Sequence, residues 1–150
     1  MIRDVDATAE ARLVREGQRY TAGRRALVAT LSRAATPLDI EELTADVPRS
    51  SAYRNLAVLE QAGVVRRVIT EGDFARFELA EDLTEHHHHL VCSSCGRVED
   101  VRVPTSFEAD MDRTLDRLAR KARFATVSHR LDLIGTCRDC AAASSQPTRR

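Results

Sequence analysis

The hydrophobic pattern of the first 80 residues predicts three helices followed by a β-hairpin. Apolar side chains recur at the spacing of one helix face in three successive stretches. These positions are Ala26, Leu27, Leu31 and Ala34, then Leu38, Ile40, Leu43 and Val47, then Ala52, Leu56 and Leu59. Two strand-like runs, 64–70 and 74–79, flank a turn at 71–73. Helices followed by a hairpin are typical of a winged helix-turn-helix.

The third predicted helix presents a surface that fits a DNA groove. Ser50 or Ser51 can cap its N terminus, and Gly63 stands where a C-terminal cap belongs. With the apolar stripe facing inward, Ser50, Tyr53 and Arg54 lie on the outward face. The predicted helix has no Asp or Glu up to Leu59, so the electrostatic potential at its surface is locally positive. Considered alone, this helix is explained equally well as one helix of a small bundle whose polar face is exposed to solvent.

The second half of the chain predicts a strand at 98–103, a helix at 106–122 and a strand at 125–134. The helix carries an apolar stripe that we expect to be buried, and one face of the last strand is apolar apart from His129. The stripe is Phe107, Met111, Leu115, Leu118 and Ala122, and the strand residues are Val127, Leu131 and Leu133. A unit of about 65 residues has a marginal core, so a structural metal or a partner chain should support it.

Composition narrows the classes of function. The chain has 150 residues, 43% of them hydrophobic, and its 23 Lys and Arg balance 23 Asp and Glu. A zero formal charge excludes a globally basic coat, so any DNA contact has to come from a local surface. No apolar stretch approaches the roughly 18 residues of a membrane span, and the N terminus lacks the order of a signal peptide. We therefore expect a cytoplasmic protein with no membrane partner.

The cysteines form two C-x-x-C pairs, Cys92 with Cys95 and Cys137 with Cys140. In a reducing cytosol this pattern indicates metal ligation before disulfides. Four thiolates complete the tetrahedral shell of Zn2+ and leave no open position, so the sequence predicts a structural zinc site. A thioredoxin-like redox pair is the competing interpretation, but it leaves one of the two pairs without a role.

A run of four histidines, His86 to His89, precedes the first cysteine pair. In an extended segment alternate side chains project to opposite sides, so this run can serve two separate metal sites. Imidazole binds Zn2+, Fe2+, Mn2+ or Ni2+, and nearby acids add carboxylates. The candidate acids are Glu78, Glu81, Asp82, Asp100, Glu108 and Asp112. A simpler interpretation is that the histidine run is a polar connector exposed to solvent. For His129 the simpler interpretation is a buried histidine whose hydrogen bonds are satisfied within the core.

Four stretches together resemble the ferric uptake regulator (Fur) family of metal-dependent transcriptional repressors. They are Gly17–Arg24, Ser51–Leu56, His86–Gly96, and His129 with the second cysteine pair. The resemblance implies a homodimer that represses palindromic promoter DNA when a divalent metal is bound, with no catalysis and no small organic substrate. The fold class is then α+β, with a winged-helix domain over 1–80, a hinge over 81–85, a small α/β dimerisation domain over 86–143 and a disordered tail over 144–150.

The resemblance also implies which residues act. A regulatory hinge site falls on Glu78, His87, His89 and Asp100, with Glu81 as the alternative to Glu78. A second metal site falls on His86, His88, His129 and either Glu108 or Asp112. The DNA-binding residues are Arg19, Arg49, Ser50, Ser51, Tyr53 and Arg54. The expected cofactors are structural Zn2+ and a second divalent ion, for which Fe2+ or Mn2+ is favoured over Zn2+ because no thiolate remains for the regulatory shell.

The sequence departs from the family pattern near Pro37-Leu38, where many relatives have a histidine that joins the hinge site. The connection at 46–49 also looks short, so the coupling between metal and DNA should differ in detail. A zinc-uptake regulator of the same family is the first alternative. Two alternatives come from other classes. A zinc-dependent hydrolase would need an open three-ligand site, and its H-E-x-x-H motif is absent, while a zinc-ribbon interaction module leaves the winged helix unexplained.

Overall fold

The computed structural model describes residues 4–44, 48–69, 75–125 and 128–144. Both halves of the chain contain helices and strands, so the fold class is α+β. The first half contains helices α1 (Val5–Arg15), α2 (Ala22–Arg33), α3 (Ile40–Leu43) and α4 (Arg49–Gln61), and strands β1 (Leu38–Asp39), β2 (Val65–Ile69) and β3 (Ala75–Leu79). A 3-10 turn at Glu81–Leu83 follows. The second half contains strands β4 (His88–Cys92), β5 (Val98–Val101) and β6 (Asp132–Gly135), and helices α5 (Thr105–Lys121) and α6 (Arg138–Ser144).

The first half is a winged helix, as predicted. Strands β2 and β3 form the antiparallel hairpin, with Val65 opposite Leu79, and β1 adds to the free edge of β3. The stripe Ala52, Leu56 and Leu59 on α4 is fully buried against the other helices, which confirms the inward face expected from the sequence. The predicted turn at 71–73 lies outside the described residues, as does Val47.

Three features of the first half differ from the prediction. Helix α1 was not predicted, because only Ala9 and Leu13 on it are buried and the periodic signal is weak. Leu38 forms a strand with β3 instead of starting a helix, since Phe77 on β3 lies opposite it. Helix α3 then begins at Ile40, after a capping box in which Asp39 is the N-cap.

The N-cap prediction for α4 was wrong. The helix begins after Pro48, so Ser50 and Ser51 lie inside its first turn, and no side chain caps it. The backbone carbonyl of Pro48 accepts the first bonds, from Ser51 N at 2.9 Å and Ala52 N at 3.1 Å. The C-terminal prediction is confirmed, because Gly63 has a positive φ of 66° and follows the C-cap Ala62.

The second half is a three-stranded sheet of order β5-β4-β6, in which β4 is antiparallel to β5 and parallel to β6. The predicted strand at 125–134 was too long at its start, since β6 begins at Asp132, and Val127 lies outside the described residues. Helix α6 was not predicted and includes Ser144, so the predicted tail began one residue too early. The remaining tail, 145–150, is outside the described residues.

The apolar stripe on α5 is not buried within one chain, which contradicts the prediction. None of the residues of α5, all of which are described, is buried. Phe107 is 49% exposed and Leu118 is 57% exposed. On the sheet, Leu133 is 46% exposed. The apolar period of the helix was identified correctly, but the described residues of one chain do not bury it.

The connection between the halves is short and packed. Leu83, in the 3-10 turn of the predicted hinge, is buried in the core of the first half. Arg12 on α1 pairs with Asp82 and donates to the carbonyl of Gly63 at the end of α4. Among the described residues, no helix is long and apolar enough to cross a membrane.

Candidate metal centres and nucleic-acid surface

The structure brings together all twelve side chains predicted as metal ligands, and it does so in the three predicted groups. Within each group the potential ligand atoms lie within 4.8 Å of one another. The groups are a four-cysteine cluster (Cys92, Cys95, Cys137, Cys140), a hinge cluster (Glu78, His87, His89, Asp100) and a second cluster (His86, His88, Glu108, His129). We keep these three names below.

The four-cysteine cluster is assembled by the parallel pairing of β4 with β6. Cys92 ends β4 opposite Gly135 on β6, so the two residues after Gly135 bring Cys137 to the first cysteine pair. The sulfurs of Cys95 and Cys137 are 3.8 Å apart. Around a zinc ion with Zn–S bonds of about 2.3 Å, tetrahedral geometry separates the sulfurs by about 3.8 Å. The spacing therefore fits Zn2+ closely.

Neighbouring groups shift the pKa values of two thiols in this cluster in opposite directions. The backbone N–H of Cys137 donates to Cys92 Sγ at 3.3 Å and, with N–H groups of the first pair, lowers the pKa of Cys92 to about 6. Hydrogen bonding to Cys137 and Cys95 raises the pKa of Cys140 to about 12. One thiol is thus readily ionised while another resists ionisation, and a cation would be needed to hold all four as thiolates.

The hinge cluster draws its ligands from both halves of the chain. Glu78 lies on β3 of the winged helix, whereas His89 and Asp100 lie opposite each other on β4 and β5. Oε2 of Glu78 is 3.1 Å from His87 Nε2 and 3.2 Å from His89 Nε2. Asp100 approaches the same two nitrogens at 3.8 and 4.0 Å. The two imidazole Nε2 atoms and two carboxylates therefore converge on one point.

Hydrogen bonds and charges shift the protonation of this cluster. Burial works to raise the pKa of Glu78, but hydrogen bonds from His87 and His89 and the charge of Arg66 outweigh it and hold that pKa far below its usual range. The hydrogen bond to Glu78 raises the pKa of His87 to about 9. Burial raises the pKa of Asp100. A proton on His87 therefore occupies the place that a metal would take.

The outer nitrogens of the hinge histidines are also held. His89 Nδ1 lies 3.1 Å from Asp132 Oδ1, and His87 Nδ1 lies 2.7 Å from the carbonyl oxygen of Glu85. When Nδ1 donates to an oxygen, the lone pair of a neutral imidazole is on Nε2, which here faces the cluster. The sequence prediction missed Asp132, because the pairing of its strand with the histidine strand is not visible in the sequence.

The second cluster lies on the other side of β4. His88 Nε2 is 2.6 Å from Glu108 Oε1, and His86 Nε2 is 3.4 Å from the same oxygen. His129 Nε2 lies 3.3 Å from Glu108 Oε2, yet this buried atom has no hydrogen-bond partner among the described residues. This buried nitrogen, which has no hydrogen-bond partner in the described part of the chain, faces three other potential metal-ligand groups, so the arrangement fits a divalent metal ion.

The alternative acids lie at different places relative to the clusters. Glu108 belongs to the second cluster, whereas Asp112 contacts the outer nitrogen of His129 at 3.1 Å. Burial works to raise the pKa of Glu108, but the hydrogen bond from His88 and the charges of the other histidines lower it. Glu78, not Glu81, belongs to the hinge cluster.

Two further contacts around these acids were not predicted. Glu81 bonds the outer nitrogen of His86. Arg66 on β2 lies against both glutamates, Glu78 and Glu81, and so joins the surroundings of the two clusters.

A cavity adjoins the hinge cluster on the side of the winged helix. It has a volume of about 380 Å³ and lies between the end of α2 and the hinge cluster. Its walls include Ala35 and Thr36 on one side and Glu78, His87 and Asp100 on the other. The described surroundings of the hinge cluster thus supply four ligand side chains and leave space beside them.

The candidate DNA-binding residues lie around the N-terminal part of α4. Tyr53 is 45% exposed, and Arg49, Ser50 and Arg54 are exposed beside it, while Ser51 is half-buried. Arg49 makes a loose pair with Glu41 at 3.7 Å. The structure thus leaves a basic face on α4 open for contact.

Arg19 is placed near α4 by the side chain of Arg24. Arg24 Nη1 donates to the carbonyl oxygen of Arg19 at 2.5 Å, and its Nε donates to Asn55 Oδ1 at 3.4 Å. Arg19 itself is exposed. Arg24 therefore links the segment before α2, which carries Arg19, to Asn55 on α4.

The chain is similar in sequence to known proteins. Residues 15–134 match the Ferric uptake regulator family. The ferric uptake regulation protein of Rhizobium leguminosarum bv. viciae is 31% identical over 139 residues, covering 88% of this chain and 93% of that protein. The protein of the same name from Cupriavidus metallidurans is 41% identical over 92 residues, and this match spans only 61% of this chain and 59% of that protein.

The fold is also similar to a solved structure. That structure is the Helicobacter pylori ferric uptake regulator Fur, which has three functional metal binding sites. The TM-score is 0.71 at 23% identity, covering 93% of this chain and 95% of that chain, so the likeness concerns the fold. Because the family match extends over most of the sequence and a relative aligns over nearly its whole length, the chain belongs to the ferric uptake regulator family.

Proposed function

We propose that this protein is a metal-responsive transcriptional repressor that binds palindromic promoter DNA as a homodimer when a divalent ion occupies the hinge cluster. One observation carries the proposal. Glu78 belongs to the winged helix, whereas His89 and Asp100 belong to the second half, so these side chains can bind one ion only in one relative placement of the two halves. An ion that binds one placement better than others shifts the population toward it.

The four-cysteine cluster is proposed to hold structural Zn2+ through Cys92, Cys95, Cys137 and Cys140. Support comes from the all-thiol donor set and the sulfur spacing, which fit a closed tetrahedral shell. Such a site has no position for a substrate, and no catalytic step is part of the proposal. Its expected contribution is to hold the second half folded.

The regulatory ion at the hinge cluster is proposed to be Fe2+ or Mn2+. Its donors are two imidazoles and two carboxylates, and the cavity beside Thr36 leaves room for further ligands. This hard, expandable shell suits Fe2+ and Mn2+ at least as well as Zn2+. The second cluster, with three imidazoles and Glu108, is proposed to bind a further divalent ion.

The homodimer is proposed to form over the exposed apolar surface of the second half. Leu118 and Phe107 on α5 and Ile134 on β6 are each about half exposed or more in one chain. A second copy is the occupant that this surface fits, because a two-fold dimer brings two α4 helices to successive half-sites of a palindrome.

The test of sensing compares two neighbouring histidines. His88 and His89 are adjacent on β4 and each is 1% exposed, but they face the second cluster and the hinge cluster respectively. Zinc-loaded protein freed of other metals is titrated anaerobically with Fe2+, Mn2+ or Zn2+ against an operator selected from random duplex DNA. We expect His89→Ala to lose the metal response and His88→Ala to keep it. The opposite pattern would place the sensor in the second cluster, and a response to Zn2+ alone would make the protein a zinc-uptake regulator.

The DNA surface is tested separately. Arg54→Ala and Tyr53→Ala should abolish operator binding while zinc content and metal affinity stay unchanged. Each lost phosphate contact should flatten the plot of log affinity against log salt by about 0.9. Arg33→Ala, which removes an exposed arginine at the far end of α2, is the matched control. Operator affinity at the wild-type level in Arg54→Ala would move the DNA surface elsewhere.

A further inference from the structure

Arg76, on β3, has a guanidinium that contacts both halves of the chain. Its Nε donates to the carbonyl oxygen of Gly96 at 2.8 Å, and its Nη1 donates to the carbonyl oxygen of Pro37 at 3.2 Å. The side chain is only 18% exposed. Gly96 belongs to the four-cysteine region, and Pro37 precedes β1 of the winged helix. Arg76 therefore forms a short, partly buried link between the two.

On the first side, Arg76 contacts the capping box of α3. The N–H groups of Glu41 and Glu42 donate to Asp39 Oδ1 at 2.9 Å each, and Asp39 N donates back to Glu42 Oε2 at 2.8 Å. Arg76 lies 3.2 Å from Glu42 Oε2 and 3.7 Å from Asp39 Oδ2. The guanidinium thus neutralises both carboxylates that fix the start of α3, and α3 packs directly on α4.

On the other side, the acceptor belongs to the turn that carries the first cysteine pair. Gly96 follows Cys95, is buried and has a positive φ of 70°. Its N–H donates to the carbonyl oxygen of Cys92 at 2.9 Å. The position of the Gly96 carbonyl is therefore set by the shape of the Cys92–Cys95 turn. Ligation of both sulfurs by one ion would fix that shape.

We propose that Arg76 makes the start of the helix-turn-helix depend on the state of the four-cysteine cluster. When the turn holds its shape, the Gly96 carbonyl anchors the guanidinium against Asp39 and Glu42. When the turn loosens, Arg76 loses its closest hydrogen-bond acceptor, and the capping box loses its fixed counter-charge. The zinc-dependent part of this inference rests on the proposed function. It gives the structural site a route to α4 within one protomer, separate from dimerisation and from the hinge cluster.

The alternative is that Arg76 only pairs with the capping box and senses nothing. Removal of Arg76 would weaken α3 under either interpretation, so a single variant does not decide. A double-mutant cycle does, because residues that act through one another show non-additive effects. The cycle combines Arg76→Met with Cys95→Ser, which loosens the turn while leaving Arg76 in place.

The measurement is amide hydrogen exchange at Glu41 and Glu42, whose N–H groups bond to Asp39. We expect each single variant to speed exchange about tenfold and the double variant to be no faster than the faster single variant. Effects that multiply, or an unchanged rate in Cys95→Ser, would overturn the proposal. Arg67→Met is the control, since Arg67 lies on the adjacent strand and pairs with Glu60 of α4 instead.

A second measurement guards against unfolding of the second half in Cys95→Ser. A strong chelator removes zinc from the wild type, after which Zn2+ is added back. Exchange at Glu41 and Glu42 should rise on removal and recover on addition, whereas Arg76→Met should change little in either step. Equal responses in wild type and Arg76→Met would overturn the link. Zinc content, measured on every sample, tests the proposed function separately: a wild type that holds no zinc refutes the structural site and leaves the mutant cycle to decide the role of Arg76.

Discussion

The two halves of the molecule bury different kinds of side chain. The core of the first half is a continuous apolar cluster that joins α1, α2, α3, α4 and the winged sheet. Among the described residues, the apolar cluster of the second half consists of Val91 and Val98 together with Val68 from the wing. The buried polar residues Glu78, His88 and His89 instead meet at the boundary or inside the second half. Apolar packing stabilises the first half, whereas potential metal ligands occupy much of the buried interior of the second half.

This difference explains why the second half leaves large apolar side chains exposed. Leu118 on α5 and Ile134 on β6 are 57% and 59% exposed, while the apolar stripe of α4 is fully buried. At about 25 cal/mol per Å² of apolar surface, a few such side chains are a substantial part of a small domain's stability. We therefore expect the stability of the second half to depend on metal and on a second copy, and that of the first half to be independent of both.

The largest expected effect is the loss of the structural metal. Cys92→Ser should reduce zinc from about one ion per chain to almost none and unfold the second half, because metal binding and folding are coupled in a closed thiolate site. Both tyrosines, Tyr20 and Tyr53, lie in the first half, and the chain has no tryptophan. Tyrosine fluorescence should therefore still show a cooperative unfolding transition in this variant.

Ser94→Ala is the control for that experiment, since Ser94 is an exposed residue between the same two cysteines. It should keep full zinc content and the dimer. If Cys92→Ser also keeps both, the four-thiolate assignment is wrong. If it abolishes the tyrosine transition, the first half is not independent of the second and the contrast between the halves fails.

A smaller effect is expected from a cavity in the packed half. Leu56 on α4 is 1% exposed, so Leu56→Ala should lower the free energy of unfolding by about 2–5 kcal/mol. Denaturant unfolding followed by tyrosine fluorescence measures this loss, which should not depend on protein concentration. Ala57→Ser, on the exposed face of the same helix, should change it by less than about 0.5 kcal/mol. An equal loss in both variants would contradict the assigned core.

The corresponding change in the second half should act on association instead. Leu118→Ala should raise the dimer dissociation constant about tenfold, since it removes an apolar side chain from the proposed interface. Sedimentation across a range of concentrations measures the constant, and Arg117→Ala at the neighbouring exposed position is the control. A loss of monomer stability like that of Leu56→Ala, with no change in association, would show that α5 packs on its own chain.

The contrast between the halves also determines what the sequence could predict. The grouping of the potential ligands was predictable because chemistry restricts metal ligands to few residue types, and alternation along the histidine run assigned His86 and His88 to one side and His87 and His89 to the other. The inward stripe of α4 was predictable from its period. The exposure of the α5 stripe was not, because its period is clear but a period does not show whether the described residues of the same chain cover it.

Other misses have local causes. Leu38 was assigned to a helix because its spacing to Ile40 and Leu43 fits one, yet pairing with β3 decided its conformation. The start of α4 was misplaced because Ser50 and Ser51 are good caps by residue type, whereas Pro48 takes the N-cap position. The partners Asp132, Arg66 and Arg76 were missed because their contacts cross elements that are distant in sequence.

The smallest effect we predict is the pH dependence of metal binding at the hinge cluster. The hydrogen bond that His87 donates to Glu78 raises the pKa of His87 to about 9, above its unfolded value of about 6.5. In metal-free protein the contribution of His87 to stability is therefore complete below about pH 6.5 and is lost as the pH rises through about 9. Metal binding has the opposite sign, because the ion must displace the proton on His87.

We therefore expect the affinity for Mn2+ to rise with pH and to level off near pH 9. A single displaced proton makes the slope about one decade per pH unit below the pKa of His87. Titrations of zinc-loaded protein with Mn2+ between pH 6.5 and 9 measure it. His88→Ala, which alters only the second cluster, should keep the slope, whereas His87→Gln should bind more weakly and flatten it, because the displaced proton is gone. A slope that is the same in His87→Gln as in the wild type would assign the proton to another ligand and remove His87 from the regulatory shell.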